Sequence, residues 1–291
     1  MNYSYRSFFI VALFMSLHVQ ASNSPSGNNS AWFAKTDLQL SYQALMDNTP
    51  HIAWQKLTQV LQQPVRTELT PYWLPLFNEI IKQSHCGQQL SSLPYQDSTY
   101  DQQHEDRIRL IVLRKSNLRQ SLYQLKVVLN DQSKKVSVIL SDSNGKTWLE
   151  GQSLKPQDGY VEIESTEYFK PIPAGLYQLT LNGSQPIPVV ITPFTHTNWI
   201  TFKNESTEQS INLTTPNSNR YCPPPTAQQQ WFDAQYQLLE PSLFTPFNTQ
   251  ITQFQAPADA RHLSIVVTQS HFQPKVQVAQ QQRLTLPADF F

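Results

Sequence analysis

Three stretches of this 291-residue chain hold side chains in an order that can support chemistry. Ser143-Asn144-Gly145-Lys146 has the Ser-x-x-Lys spacing in which a lysine amine activates a serine hydroxyl. That arrangement needs the serine at the start of a helix. Here Asn144-Gly145 lies between two apolar runs, which predicts a hairpin turn instead. Glu162 and Glu164 are two residues apart, so on a strand they share one face. Neighbouring carboxylates can hold a cation or displace each other's pKa. No partner acid is visible, and a solvated strand face accounts for the pair. His85-Cys86 sets an imidazole beside a thiol, but chain neighbours rarely face each other, and no oxyanion-type context surrounds them.

Other constellations are missing. The chain has no Gly-x-Ser-x-Gly, His-Glu-x-x-His, P-loop or Gly-x-Gly-x-x-Gly pattern. His51, His85, His104, His196, His262 and His271 do not pair at metal-ligand spacing. Asp142-Ser143-Asn144-Gly145 lacks the later acidic residue of a calcium loop. The reading is therefore a protein that is not an enzyme, with no catalytic residues, no metal and no cofactor. Binding carries more weight. Trp148, Trp199 and Trp231 have polar sequence surroundings, and His196 sits in the polar stretch Thr195-His196-Thr197-Asn198-Trp199. Aromatic faces beside Gln, Asn and Thr suit sugar rings, and Trp also anchors protein partners. These four residues form the candidate binding set.

The chain balances 21 basic against 21 acidic side chains. With no basic excess to displace counterions, nucleic acid is not an expected partner. Charged residues make up only 14%, against about 25% in typical globular proteins, so Gln is expected to fill much of the polar surface. Residues 1–21 read as a secretory signal. Arg6 gives the positive end, Ser7–Leu17 the apolar centre, and Val19-Gln20-Ala21 the cleavage motif, with the cut between Ala21 and Ser22. The apolar run is shorter than the roughly 20 residues a membrane span needs. No later stretch qualifies, so no transmembrane segment is expected in the mature chain. The expected address is the periplasm, with secretion as the alternative. Cys86 and Cys222 are the two cysteines, and in an oxidising compartment they pair as a disulfide. In the chain-entropy model, closing so long a loop is worth on the order of 5 kcal/mol.

The elements that must position these residues follow from periodicity. Residues 22–30 are a flexible polar tail. Over 31–100 the spacing predicts three helices. Thr36 caps the first, with Leu38, Tyr42 and Leu45 along one side. Thr49 and Pro50 start the second, which carries Ala53, Leu57, Val60 and Leu61 and ends at Pro64. The third lies between Thr70 and Ser84, its regular part beginning at Pro75, with Gly87 at its end. Over 101–216 the period changes to two and turns recur, which predicts an antiparallel β-sandwich. Over 217–245, Cys222-Pro223-Pro224-Pro225 predicts a stiff connector, and Thr226 caps a helix over Ala227–Leu239. Residues 246–291 return to strands as a smaller C-terminal β unit, at Thr249–Gln255, His262–Thr268 and within Val276–Leu286. These strands either complete the first sandwich or form a second sheet. The class is α+β, mainly β.

The phrase Pro173-Ala174-Gly175-Leu176-Tyr177-Gln178-Leu179-Thr180 resembles the closing strand of bacterial immunoglobulin-like modules, which makes the sandwich immunoglobulin-like. The signal, the helix pair over Leu38–Gln63, the Cys86/Cys222 pair and the sandwich with its Pro-rich connector are together similar to an uncharacterised family of exported, vibrio-type gammaproteobacterial proteins of unknown function. That resemblance implies a periplasmic envelope protein associated with envelope sensing, and it transfers no catalytic residue. The expected function is a non-enzymatic binding or adaptor module for another envelope protein or a glycan. One alternative is a cell-wall or polysaccharide hydrolase with a dispersed acid pair. The other is a secreted surface or matrix component.

Overall fold

Thr36 starts the first helix by a reciprocal cap: its hydroxyl accepts the N–H of Gln39, and the Gln39 side-chain oxygen accepts the N–H of Thr36. The structure, a computed structural model, describes residues 35–63, 67–90, 108–130, 135–153, 160–194, 197–205, 208–252 and 254–290. The expected signal with its Ala21/Ser22 cut, the polar tail, His104 and His196 lie outside the described residues. The helices are α1 (Asp37–Met46), α2 (Pro50–Gln62) and α3 (Thr70–Gln83). Between α1 and α2 the Thr49 hydroxyl donates to the Ala44 carbonyl at 2.8 Å, pinning the tight connection. Helix α3 begins five residues before the expected Pro75 start. Pro71 falls in its first turn, where an N–H has no partner to lose, and Pro75 is accommodated inside. Ala53, Leu57, Leu61, Trp73, Phe77 and Ile80 form the helical core, which also takes in Leu176 and Val190 from the β region.

The β region has fourteen strands among the described residues. They are β1 (Ile108–Ser116), β2 (Ser121–Leu129), β3 (Ser137–Asp142), β4 (Thr147–Gln152), β5 (Val161–Glu164), β6 (Gly175–Leu181) and β7 (Ile187–Ile191). Then follow β8 (Ile200–Glu205), β9 (Glu208–Leu213), β10 (Thr226–Phe232), β11 (Leu243–Phe244), β12 (Gln250–Ile251), β13 (His262–Gln273) and β14 (Val276–Pro287). A seven-stranded sheet runs β11-β10-β13-β14-β1-β2-β5. Its pairings are antiparallel except for β1 with β14, which is parallel and joins the first strand to the last. Of the C-terminal strands, β13 and β14 thus enter the same sheet as β1 and β2, and β12 pairs with β9 instead.

Two smaller sheets pack on one face of this large sheet. The sheet β4-β3-β6-β7 supplies Val138, Leu140, Leu149, Tyr177, Leu179 and Val189 to a core shared with Leu110, Val112, Leu125, Val127 and Val278. The sheet β12-β9-β8 packs Ile211 and Leu213, with Trp199, against Ala227, Trp231, Leu263, Ile265 and Leu286. We call this the inner face. The register puts Ile111, Leu113, Val128 and Ala279 on the opposite, outer face. Among the described residues their core cluster draws on β1, β2 and β14 alone.

A row of glutamines marks the seam between the two sandwiches. Gln273 exchanges two hydrogen bonds of 2.8 Å with the backbone of Val190. Gln280 donates to the Thr192 carbonyl and hydroxyl at 3.1 and 2.9 Å. Gln282 accepts the Trp199 N–H at 2.9 Å and donates to the Thr197 carbonyl at 3.2 Å. All three are buried, so they act as side-chain strands that satisfy backbone groups where the chain crosses from one small sheet to the other. Part of the Gln content therefore belongs to the interior and not to the surface.

The helix expected over Ala227–Leu239 is not formed. Residues Thr226–Phe232 are β10, paired with β13, and the Gln-rich run that reads as helical alternates instead to bury Ala227 and Trp231. Tertiary pairing overrides a weak helical preference there. Asp233–Gln237 is a turn, and the expected strand Thr249–Gln255 shrinks to Gln250–Ile251.

Cys86 and Cys222 are bonded, with Cα atoms 4.9 Å apart across a separation of 136 residues. His85, Cys86 and Gly87 have φ of 51°, 63° and 88°, a left-handed run that turns the end of α3 onto β13. There the Phe272 N–H donates to the Cys86 carbonyl at 2.9 Å. A Cβ on Gly87 would sit 1.8 Å from the Phe272 oxygen, so glycine is required.

Candidate functional site

At the end of the large sheet where β1 and β14 finish and β13 begins, a cleft of about 440 Å³ opens. Two turns form its rims. In the β1–β2 connection the Asn117 side-chain oxygen accepts the N–H groups of Arg119 and Gln120 at 2.8 and 2.9 Å. On the other rim Asp233 does the same for Gln235 and Gln237 at 2.9 and 2.8 Å. Asx turns of this kind hold a loop without help from a core. The second one holds Tyr236 at φ 60° and lays its ring on His262, with centroids 4.4 Å apart and planes 4° from parallel. Tyr236 is 62% exposed, so one ring face stacks and the other meets solvent. Across the cleft Lys115 and Glu167 form an ion pair of 2.9 Å. Gln120, Ser116 and Thr285 add polar groups, and Leu122, Leu286 and Pro287 the apolar floor. The cleft can offer a flat aromatic surface, one charged donor, one charged acceptor and neutral amides.

None of the candidate binding tryptophans lines this cleft. Trp148, Trp199 and Trp231 are 9%, 2% and 2% exposed, so the surface aromatic role expected of them is corrected to core packing. The Trp148 indole N–H donates to Asp142 at 2.9 Å, and the Lys146 amine lies 3.8 Å from its ring centroid. Ser143–Lys146 is the β3–β4 turn, as its Asn-Gly pair predicts, with Asp142 accepting the N–H groups of Asn144 and Lys146. Trp199 belongs to the glutamine seam and Trp231 to the second core.

Glu162 and Glu164 do share the outer face, flanking Lys126, which is 2.7 Å from Glu162 and also bonded to Glu164. Burial alone would raise Glu162, but hydrogen bonds with Glu164, Lys126 and Tyr160 outweigh it and hold the carboxyl well below the usual range. Tyr160, hydrogen-bonded to Glu162, is pushed up to about 12 by burial and by Glu162. The pair is an ion-pair network with its lysine supplied by β2. Among the described residues no group of three His, Cys, Asp or Glu side chains is placed to hold a metal, and no helix is long and apolar enough to cross a membrane.

Sequence reasoning missed Lys115, Asn117, Glu167, Tyr236 and His262. The available signals were Asn117 and Asp233, residue types that start Asx turns, each with a polar residue two positions on, Arg119 and Gln235. Reading 227–239 as a helix hid the second.

A family model described as a protein of unknown function, DUF2861, matches residues 32–289. The chain belongs to this family. Its match takes in α1–α3 and β1–β14 of the DUF2861 chain. No curated protein matches the sequence. Among solved structures, the chain is similar to the BSP domain of a biofilm associated protein at 10% identity, with a TM-score of 0.21, over 61% of this chain and 29% of that one. It is also similar to a point mutant of Salmonella alpha-2-macroglobulin at 11% identity, with a TM-score of 0.20, over 59% of this chain and 14% of that one. The DUF2861 chain therefore spans less than a third of the length of either.

Proposed function

We propose that this protein is a non-enzymatic, exported binding module of the cell envelope that holds its ligand in the cleft between the Asn117 and Asp233 turns. The observation that carries the reading is Tyr236, an exposed ring backed by His262 and braced by Asp233 opposite a polar rim. A preformed cleft with an apolar floor and few converging polar groups is the usual form of a small-ligand site. Hydrolysis by paired acids needs two carboxyl groups about 5–10 Å apart. Among the described lining residues Glu167 is the single carboxylate, which favours binding over that chemistry. The disulfide suits an oxidising compartment, in line with the signal-like start, and the periplasm is the proposed address.

The reading is tested by amide hydrogen exchange on the purified, oxidised protein, with cell-envelope extract split into protein and glycan fractions. One fraction is expected to slow exchange within 115–121 and 233–238. Protection elsewhere, or none from either fraction, overturns it.

A further inference from the structure

We propose that the ligand of the cleft is a neutral glycan, one ring of which lies on the solvent face of Tyr236 while adjacent hydroxyls bridge Lys115 and Glu167. This rests on the binding reading above and adds its ligand class. The apolar face of a sugar ring packs on an aromatic plane, and Tyr is suited to a surface that is apolar on one side and wet on the other. Here that plane is fixed before any ligand arrives. His262 backs it, and Asp233 holds its backbone in a left-handed conformation that a tyrosine adopts only when constrained.

The second half of the argument is charge. Lys115 and Glu167 stand 2.9 Å apart, a donor beside an acceptor. Each hydroxyl of a vicinal diol both donates and accepts, so such a diol satisfies both groups together. An anionic sugar would meet the Glu167 carboxylate, and a cationic one the Lys115 amine. Each would also meet the opposite partner of the pair, so the pair gives charge of either sign no net attraction. The lining itself adds amides in place of further carboxylates, lysines or arginines. The Asn117 oxygen is occupied by two backbone N–H groups, which leaves its NH₂ as a donor, and Gln120 offers both a donor and an acceptor.

The experiment is native electrophoresis of the oxidised protein in gels containing dextran, galactomannan or xyloglucan, and in gels containing polygalacturonate. At least one neutral polymer is expected to retard the protein, with little change on adding 0.5 M salt, roughly the range in which surface ionic contacts are screened. Tyr236→Ala should weaken retardation about tenfold or more, as loss of an aromatic anchor does, while Tyr236→Phe retains it. Gln120→Ala should weaken it less and checks the site should Tyr236→Ala lower the melting temperature. Retardation by polygalacturonate alone overturns the inference, as does retardation unchanged in Tyr236→Ala with Gln120→Ala. No retardation by any polymer also overturns it. In that event, exchange protection of the cleft by the envelope protein fraction leaves the binding reading standing, whereas absence of protection removes both.

Discussion

The two faces of the seven-stranded sheet are built on different principles. On the inner face every strand of the sheet except the short edge strand β11 contributes to a core shared with a second layer. Apolar side chains fill it, and where they give way to glutamine every amide at the seam finds a backbone partner. On the outer face a small apolar patch of Ile111, Leu113, Val128 and Ala279 is ringed by charged and amide side chains. Three outer-face atoms of the sheet, Arg283 Nε, Gln124 Oε1 and Ser264 Oγ, are buried without a hydrogen-bond partner, against one described on the inner face, Arg114 Nε. The cleft opens at the end of that same face, lined by Lys115, Leu122, His262 and Thr285. The inner face carries most of the apolar core, and the outer face holds more of the unsatisfied polar groups, beside the residues that line the cleft.

The contrast predicts unequal costs for truncation. Leu125 is fully buried on the inner face, and Leu125→Ala should cost about 2–5 kcal/mol, the usual range for a leucine cavity. Urea denaturation measures it. Tyr236→Ala at the cleft should change stability by less than about 0.5 kcal/mol, as for a surface side chain. Equal losses from the two would erase the distinction.

Acid should separate the faces as well. His271 points inward from β13, its ring edge-on to Phe77 of α3 and its Nε2 beside the Gln273 amide at 3.0 Å. Burial lowers its pKa from 6.5 to about 4. The unfolded chain takes up this proton near pH 6.5 and the folded chain only near 4. The contribution is therefore complete above pH 6.5 and is lost as pH falls toward 4, by about 3 kcal/mol at most. Glu162 on the outer face also has a depressed pKa, but its contribution holds down to the ordinary carboxylate range and is lost only below it. Stability measured against pH should show two separate declines, and His271→Phe should flatten the upper one. A single decline in the carboxylate range would show that His271 is not buried neutral.

What the sequence revealed follows the same division. Local signals were readable: the Thr36 cap, the Asn144-Gly145 turn, the two-residue period through β1 to β7, and the cysteine pair that the oxidised bond confirms. Long-range placement was not. Nothing near Ile108 indicates that it will lie parallel to a strand beginning at Val276. Nothing in the polar neighbours of Trp199 reveals that one of them, Thr197, is held from inside by Gln282. The tryptophans looked exposed because their neighbours are polar, yet all three rings are buried. The cleft draws on residues from 115 to 287, so its parts share no sequence window.

The sharpest comparison uses adjacent residues of one strand. Gln282 and Arg283 are neighbours on β14, so their side chains leave opposite faces. Gln282 is 5% exposed and inward, and it holds Trp199 and Thr197. Gln282→Ala strands those groups and should cost about 1–3 kcal/mol, the penalty of a buried unsatisfied pair. Arg283 faces outward beside Lys115. Burial pulls its pKa down, Glu162 and Glu164 oppose that from a distance, and its Nε has no partner. Arg283→Met keeps the length of the apolar stem and removes a desolvated charge, so it should leave stability unchanged or raise it by about 1 kcal/mol. Thermal melts of the two variants make the measurement. If the arginine variant lost as much as the glutamine variant, the outer face would be as fully bonded as the inner one.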